Sequence, residues 1–497
     1  MLYLFLCFLI IPFINSEVDY IGQTFFSEKP LWYWASPLKL TNFRDGLDLD
    51  TKAEQKSLQI VGYFSKTTSP ERIAAYFSPI DKRQLVSTNL GSTSYYKREN
   101  DIVAAYFKVL SNNIEDVLTS DFKSIINFCP ERQVQGLGLN FRYRFNDCYW
   151  FDCSLPIESV KTSMGLSEKV ITPLQAPVLD QVQALPKSEG YTENMTEALS
   201  NPLMRYQKID NRWHKKTGIA DIEIVIGRDW NSMECGQLRS FFGAVIPTGN
   251  KPNGVYLYEP IVGNNNHWGV TWGAEGIFKS WCLSFADLFV VYDIQSKFLF
   301  QNQQRRGVDL IGKPWGRYVW VEDQSSPQEI DFGANRLTLC LNVTPRYQMI
   351  INTGVLLKGD CWTFEVGYNF FARAGEEVCL ANKWVENIGY VDIEKYLEGE
   401  SKTASYSIIQ AATGNGISVD IDEDENPIFV PIKACDLNLL SAAHPGMQSQ
   451  TMYAALEYKT AGKYLDFLST IGSSYEFNSH NNAPERWTVW GKLGFLF

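Results

Sequence analysis

Alternation of apolar and polar side chains at every second position is the feature that most constrains how this chain can fold. Residues 362–370 (WTFEVGYNF) show it most plainly, with rings and valine on one face and Thr, Glu, Gly and Asn on the other. Segments 335–343 and 347–355, on either side of a Thr-Pro turn, repeat the pattern. A period of two predicts strands, and each segment has about the 9–11 residues with which a tilted strand crosses a membrane. We therefore predict three neighbouring membrane-crossing strands.

The position of the aromatic residues, 14% of the sequence, separates two kinds of all-β fold. A soluble β-sandwich also alternates apolar and polar residues. Here the rings cluster at strand ends on the apolar face, as the interfacial girdles of a membrane barrel require. This favours an antiparallel transmembrane β-barrel, and a secreted carbohydrate-binding sandwich stays as an alternative.

Twelve further segments carry the same signal. They are residues 57–65, 102–109, 135–145, 148–158, 237–246, 266–277, 283–293, 315–322, 402–411, 451–459, 465–477 and 486–497. Together with the first three they predict a barrel of roughly 12 to 16 strands, and an even number is usual for bacterial barrels.

The first 16 residues, MLYLFLCFLIIPFINS, are uncharged and almost wholly apolar. They are shorter than the about 20 residues that span a bilayer as a helix, so we expect an export signal cleaved after Ser16. A buried N-terminal segment is the alternative. Beyond residue 16 no apolar run is long enough for a helical span, which leaves a secreted soluble protein or a closed barrel.

The formal net charge of −11 argues against a nucleic-acid partner, because phosphates require a basic surface. The cysteines are scattered without the C-x-x-C spacing of a zinc site. Cys148 and Cys153 form a disulfide after export, or both are small packing residues.

The last residues, RWTVWGKLGFLF, place Trp487, Val489, Leu493, Phe495 and Phe497 on one face, with Trp490, Lys492 and Gly494 on the other. This ending resembles the C-terminal signature of bacterial outer-membrane proteins, although Gly491 interrupts the apolar series. The resemblance implies that the terminal strand pairs with the first strand. It also implies that Val489, Leu493, Phe495 and Phe497 form the signal read by the barrel-assembly machinery.

The loops are expected to differ at the two barrel ends. With a periplasmic C-terminus, 478–485 and the long 412–450 loop lie outside the cell and 460–464 is an inner turn. Residues 374–400 then fall on the periplasmic side, as a helix around 376–387 or an uncounted strand. The acidic run DIDEDEN offers Asp420, Asp422 and Asp424 as candidate cation ligands, or it is a solvated acidic loop.

The segment 242–275 reads as strand, Gly/Pro/Asn-rich loop and strand. Its Ile246-Pro247-Thr248-Gly249 and glycine-rich return are similar to a hairpin of FadL-type and phenol-pathway outer-membrane transport barrels. His267 in this loop is expected to be a surface imidazole. No G-x-S-x-G elbow or histidine constellation indicates catalysis, so we expect no enzyme and no cofactor.

The predicted domains are a signal peptide (1–16), a periplasmic plug or first strand (17–56) and the barrel (57–497). Residues 159–235 are left open as a lid, plug or long loop. The leading hypothesis is an outer-membrane channel for small solutes, in contact with outer-membrane lipid. Its polar lumen would be lined by Arg336, Asn342, Gln348, Asn352, Glu365, Asn369 and Lys492. The alternative is a structural or adhesive surface protein that acts through its extracellular loops.

Overall fold

Twelve antiparallel strands close into one barrel. The structure is a computed structural model, and it describes residues 22–41, 55–80, 83–88, 101–103, 122–146, 148–173, 192–233, 236–323, 325, 330–390, 431–460, 462, 465–477 and 484–497. The barrel strands are β1 (Gln55–Thr67), β2 (Glu131–Arg144), β3 (Tyr149–Ser163), β4 (Ile222–Met233), β5 (Gly236–Ile246), β6 (Gly269–Cys282), β7 (Asp287–Leu299), β8 (Arg346–Lys358), β9 (Trp362–Arg373), β10 (Met447–Thr460), β11 (Asp466–Phe477) and β12 (Arg486–Leu496).

Each strand pairs with its neighbours in the sequence, and the last strand pairs with the first. The register of β12 against β1 runs from Ser57 opposite Leu496 to Thr67 opposite Arg486. The Lys56 N–H donates to the Phe497 carbonyl at 2.8 Å, and the Phe497 N–H donates back at 2.9 Å. The predictions of a closed antiparallel barrel and of its closure by the terminal strand are confirmed. The sandwich alternative is wrong because the sheet closes on itself.

The two ends of the barrel differ in the length of their connections. At the turn end, which also carries Phe497, strands are joined across 145–148, 234–235, 283–286, 359–361 and 461–465. At the loop end the connections are 68–130, 164–221, 247–268, 300–345, 374–446 and 478–485. This asymmetry is typical of outer-membrane barrels, whose long loops are extracellular.

The placement of 374–400 on the side of the C-terminus was wrong. β9 pairs directly with β10, so 374–446 is a single connection at the loop end, on the same side as 478–485. The predicted strand 402–411 lies outside the described residues.

The described parts of the loop-end connections fold together into a cap. Its short strands are Gln84–Thr88, Asp101–Val103, Lys123–Asn127 and Ser167–Thr172 in one sheet, Asn302–Gly307, Thr338–Thr344 and Glu377–Leu380 in a second, Trp320–Asp323, Ile330–Phe332 and Ile388–Tyr390 in a third, and the pair Asp309–Leu310 and Leu437–Asn438. A further strand, His214–Ile219, pairs with the upper part of β3. Helices α2 (Pro70–Phe77), α3 (Met195–Leu199) and α4 (Gly333–Arg336), and the 3-10 turns Gly316–Tyr318, Ala434–Asp436 and Leu439–Ala442, complete it; α1 (Pro37–Leu40) lies in the lumen.

The cap has a hydrophobic core of its own, separate from the lipid-facing surface. Buried rings at its centre include Phe77, Phe122, Trp315, Trp320 and Tyr390. These residues come from several different connections, so the cap folds as one unit over the barrel mouth.

Two predicted wall strands, and the described residues of the predicted strand 102–109, belong to the cap instead. Residues 335–343 form the end of α4 and the strand Thr338–Thr344, whose partners are cap strands. Leu337, Leu341 and Val343 are fully buried in the cap core. An alternating strand packs equally well against lipid or a protein core, and periodicity cannot distinguish the two. Residues 315–322 form a 3-10 turn and a short strand, and 101–103 pair within the cap.

Residues 159–235 combine several roles that the sequence left open. They contain the end of β3, part of the cap, and the wall strand β4, which was missed. The segment IEIVIGRDW alternates in its first half, but the outward Arg228 then interrupts the apolar face. Cys148 and Cys153 are free thiols.

The outer wall exposes apolar side chains between two rings of aromatic residues. Ile226, Phe242 and Ile471, at mid-height, are 59–68% exposed. The loop-end girdle contains Trp272, Phe298, Tyr347 and Tyr475, and the turn-end girdle contains Phe145, Tyr149, Trp230, Trp281, Trp362, Tyr458 and Phe497. A belt of this kind matches a bilayer with its two interfaces. Among the described residues, no helix is long and apolar enough to cross a membrane.

Candidate functional site: the barrel lumen

The inner wall of the barrel is polar and charged, because the inward positions alternate with the lipid-facing ones. Asp152, Glu223, Asp293 and Glu365 all point inward and are at most 3% exposed. Such side chains are costly in hydrocarbon but are accommodated in a barrel interior where they pair with one another. The lumen is therefore the candidate functional site.

Inward glycines make room for rings that lie against the wall. Five glycines face an aromatic residue directly across a strand pair, and a Cβ on any of them would lie 2.0–2.6 Å from that ring. The pairs are Tyr63–Gly136, Trp150–Gly227, Phe241–Gly273, Tyr453–Gly367 and Trp490–Gly472. Rings that lie over glycine fill the wall without filling the centre of the lumen.

The centre is occupied by the N-terminal segment, defined here as residues 22–41. It starts in the cap, where the Gly22 N–H donates to the Ser78 carbonyl at 2.7 Å and the Thr24 N–H to the Ser441 carbonyl at 2.9 Å. It then passes down the lumen to Thr41 near the turn end, and it forms no strand on the way. The first wall strand is β1.

At the loop end an ionic network holds the segment. Lys29 Nζ lies 3.3 Å from Glu476 Oε1, and Glu476 in turn accepts from Arg486 Nε at 2.5 Å. Glu28 lies 3.5 Å from Arg132 and accepts a hydrogen bond of 2.7 Å from the Tyr258 hydroxyl. Charged pairs in a site without water are strong only when their remaining hydrogen bonds are satisfied, and here they are largely so.

In the middle of the lumen the segment is held through its backbone. The Trp34 N–H donates to Glu223 Oε2 at 2.9 Å, and the Ala35 N–H donates to Gln295 Oε1 at 3.0 Å. The Trp34 ring lies 4.0 Å from the Phe241 ring, between centroids. Glu223 also pairs with Lys297.

Towards the turn end, Lys39 of α1 holds the segment against the inner wall. Its Nζ lies 2.6 Å from Asp152 Oδ1 and donates to Ser154 Oγ at 2.7 Å. Asp152 also accepts from Asn140 and from Arg142 Nε, both at 3.1 Å. Lys492 Nζ donates to the carbonyls of Lys39 at 2.9 Å and Thr41 at 2.8 Å.

Among the described residues, the segment contacts the inner wall from the loop end to near the turn end of the lumen. The cavities beside Arg142 and Arg239 at the turn end, and beside Glu28 and Glu158 at the loop end, are each about 10 Å³. A space of that size holds about one water molecule. The segment therefore lies within the interior that a crossing solute would use.

Above the mouth, the cap buries titratable groups. Burial would raise the pKa of Glu376, but the adjacent Arg306 guanidinium, 2.5 Å away, outweighs it and lowers the pKa to about 2. Burial lowers the pKa of His267 to about 4. Its Nδ1 bonds the Phe300 carbonyl and its Nε2 bonds Gln304, each at 2.8 Å. The expectation that His267 is a surface imidazole was wrong.

The residues predicted to line the lumen divide into two groups. Gln348, Asn352, Glu365, Asn369 and Lys492 all lie on the inner wall and are at most 3% exposed. Two of them contact the segment: Asn369 accepts from Lys29 and Tyr33, and Lys492 donates as described above.

The other two predicted residues lie in the cap. Arg336 lies at the end of α4, where its Nε is 3.2 Å from Asp331. Asn342 is in the cap strand that pairs with Asn302–Gly307. Both belong to the misassigned strand 335–343, which pairs with cap strands and not with the barrel wall.

At the C-terminus, Val489, Leu493 and Phe497 point outward and are exposed, and Phe495 is half-buried. Their role as an assembly signal stays a prediction. Asp420, Asp422 and Asp424 lie outside the described residues.

Sequence reasoning missed the segment's own anchors, Lys29 and Lys39, and their wall partners Glu476 and Asp152. One signal was available: FFSEKPLWYWASPLKL places two lysines on either side of a run of rings. Such a run does not alternate, so it predicts neither a wall strand nor an ordinary polar loop.

No known sequence family and no curated protein matches the chain. Among solved structures, an outer membrane channel from Pseudomonas putida F1 is similar with a TM-score of 0.39 and 10% identity, over 91% of this chain and 100% of that one. The translocator domain of the autotransporter NalP from Neisseria meningitidis gives a TM-score of 0.32 and 7% identity, over 91% of each chain. The toluene transporter TbuX from Ralstonia pickettii gives 0.29 and 9%, over 90% of each. At TM-scores below 0.5 these likenesses carry no argument about function, and the barrel is established by this chain's own strand pairing.

Proposed function

We propose that this chain is an outer-membrane channel for small solutes, closed at rest by its N-terminal segment. The observation that carries the proposal is a closed barrel with a lipid-facing apolar belt and an inner wall whose charges pair with a single non-strand segment. A polar interior inside an apolar exterior is the arrangement of barrels that conduct solutes.

The way the segment is held supports a removable closure. It makes hydrogen bonds and ion pairs to side chains of β3, β4, β7, β9 and β12, but it adds no strand to the sheet. The backbone ladder of the wall is complete without it. Movement of the segment therefore breaks side-chain contacts but leaves the ring of twelve paired strands intact.

Several polar groups inside the barrel lack a protein partner. In the part of the chain that the structure describes, the indole N–H groups of Trp32, Trp34, Trp150 and Trp490 are buried without an acceptor. Unpaired donors in a buried site favour water or a solute with acceptor groups.

The proposal is a channel and not an enzyme. Among the described residues, His214 pairs with Asp210, while His267 and His444 bond backbone carbonyls through Nδ1. None of the three hydrogen-bonds a serine hydroxyl, which a serine nucleophile would need.

The test compares the full chain with a variant that lacks residues 22–41, both reconstituted in planar bilayers. We expect rare openings from the full chain and frequent discrete conductance steps from the deletion variant. Heat-modifiable migration on a gel, measured on the same preparations, reports whether the barrel has folded. A folded deletion variant that stays silent would contradict the channel.

The same silence would favour the second candidate, a surface protein that acts through its cap. The observation behind it is that the cap has a hydrophobic core of its own and covers the loop end. Attachment of cells with and without the chain to matrix-coated surfaces measures that function directly.

A further inference from the structure

On the outer wall near the turn end, two cations rest against aromatic rings. Arg228 of β4 is exposed and lies between Trp230 and Tyr149, with its Cζ 4.5 Å and 5.8 Å from the two ring centroids. Lys56 of β1 is also exposed, and its Nζ lies 5.5 Å from the centroid of Tyr143.

Further ring contacts join these two sites into one strip across β1 to β4. The Tyr143 and Phe145 centroids are 6.1 Å apart, and those of Phe145 and Tyr149 are 6.3 Å apart with ring planes 5° from parallel. The cation–aromatic strip is thus Lys56, Tyr143, Phe145, Tyr149, Arg228 and Trp230.

The two cations of the strip have no carboxylate partner among the residues that the structure describes. Within the described ranges, neither Lys56 nor Arg228 pairs with a carboxylate. Lys279 of β6, also outside and near the turn end, differs because its Nζ lies 2.7 Å from Asp287. The charge of Lys279 is compensated by Asp287, whereas no described carboxylate compensates the cations of the strip.

The rings prepare these cations for an anion at the membrane interface. Stacking restricts the arginine and leaves the edge of its guanidinium fork available for two phosphate oxygens. Rings at this depth themselves sit at headgroup level. A cation held there attracts anionic lipid headgroups.

We propose that the cation–aromatic strip binds anionic phospholipid headgroups of the leaflet at the turn end. The inference rests on the membrane location in the proposed function, but not on conduction, because the strip lies outside the lumen. A lipid fits better than free phosphate, since the rings between the two cations offer an apolar surface that a phosphate ion cannot use.

The test counts lipids bound to the full chain in detergent by native mass spectrometry, during titration with dioleoyl phosphatidylglycerol or dioleoyl phosphatidylcholine. We expect the wild type to prefer phosphatidylglycerol. Lys56→Gln and Arg228→Gln should each weaken that binding about fivefold, and the double variant about 25-fold, with phosphatidylcholine unaffected.

Lys279→Gln is the matched control and should bind phosphatidylglycerol as the wild type does. Inorganic phosphate at millimolar concentration should not displace the lipid. The proposal is overturned if the wild type shows no preference, if the folded double variant retains it, or if phosphate competes fully. If the double variant does not fold, the two single variants decide by the same criterion.

Conductance recorded on the same preparations separates this outcome from the proposed function. Loss of lipid preference in the folded double variant, with conductance equal to that of the wild type, supports the strip and does not affect the channel. A folded variant without residues 22–41 that stays silent but keeps the preference for phosphatidylglycerol contradicts the channel alone.

Discussion

Replacement of Lys39 by methionine tests whether the N-terminal segment closes the barrel. Methionine keeps most of the side-chain volume but removes the ammonium that lies 2.6 Å from Asp152 and 2.7 Å from Ser154 Oγ. Both partners of the ion pair are only 1% exposed, so no bulk water replaces the lost contact. The wall ladder does not involve this side chain, so the cost falls on the contact between segment and wall.

The magnitude follows from the burial of the pair. Removal of one partner of a buried ion pair costs about 3–5 kcal/mol. The lower limit, about 3 kcal/mol, applies here because Asp152 keeps its bonds to Asn140 and Arg142. A change of that size raises the ratio of open to closed barrels about 100-fold.

Single-channel recording measures this ratio as the open probability. Lys66→Met is the control, because Lys66 pairs with Glu131 on the outer wall at 3.1 Å with both side chains about a third exposed. Such a pair contributes about 0–1 kcal/mol, so the open probability should not change. In an Asp152→Asn background, Lys39→Met should have a much smaller effect, since the two changes remove the same contact. An unchanged open probability for folded Lys39→Met would refute the reasoning.

Three further outcomes are expected. Burial keeps His267 neutral, with a pKa of about 4 against 6.5 unfolded. The cap should therefore lose up to about 3 kcal/mol of stability as the pH falls from 6.5 to 4. Hydrogen exchange of the cap measures this loss, and His267→Gln should reduce its dependence on pH. Gly472→Ala should destabilise the barrel by about 1–3 kcal/mol in urea unfolding, because the added Cβ would lie 2.3 Å from the Trp490 ring. Gly491→Ala should leave the stability unchanged, because a Cβ there would have nothing within 4 Å. Phe497→Asp should reduce assembly in cells, read as the heat-modifiable fraction in the envelope, without changing the conductance of molecules that do assemble; equal assembly would remove Phe497 from the signal.

Most of the barrel could be read from the sequence, since a strand that separates lipid from a polar interior must alternate. Eleven of the twelve wall strands overlap segments predicted from that period. The one missed, β4, has the same alternation in its first half but carries Arg228 on its outer face near the girdle. An outward cation breaks the apolar pattern although it is compatible with the interface.

The wrong strand assignments arose where an alternating strand packs against the cap core and not against lipid. Residues 335–343 alternate as regularly as any wall strand, but their leucines face the cap core. Asn369 and Lys492, both predicted to line the lumen, lie on the inner wall and contact the segment. Arg336 and Asn342, predicted to do the same, lie in the cap.

The sequence by itself determined that strands close around a polar interior and end at Phe497, because backbone groups in hydrocarbon must pair and side chains alternate along every strand. Only the tertiary structure decided what fills that interior. Lys29 pairs with Glu476 and Lys39 with Asp152, and more than a hundred residues of chain separate the partners of each pair. A local sequence pattern cannot predict such contacts. The closure of the lumen depends on pairs that exist only after the barrel has formed.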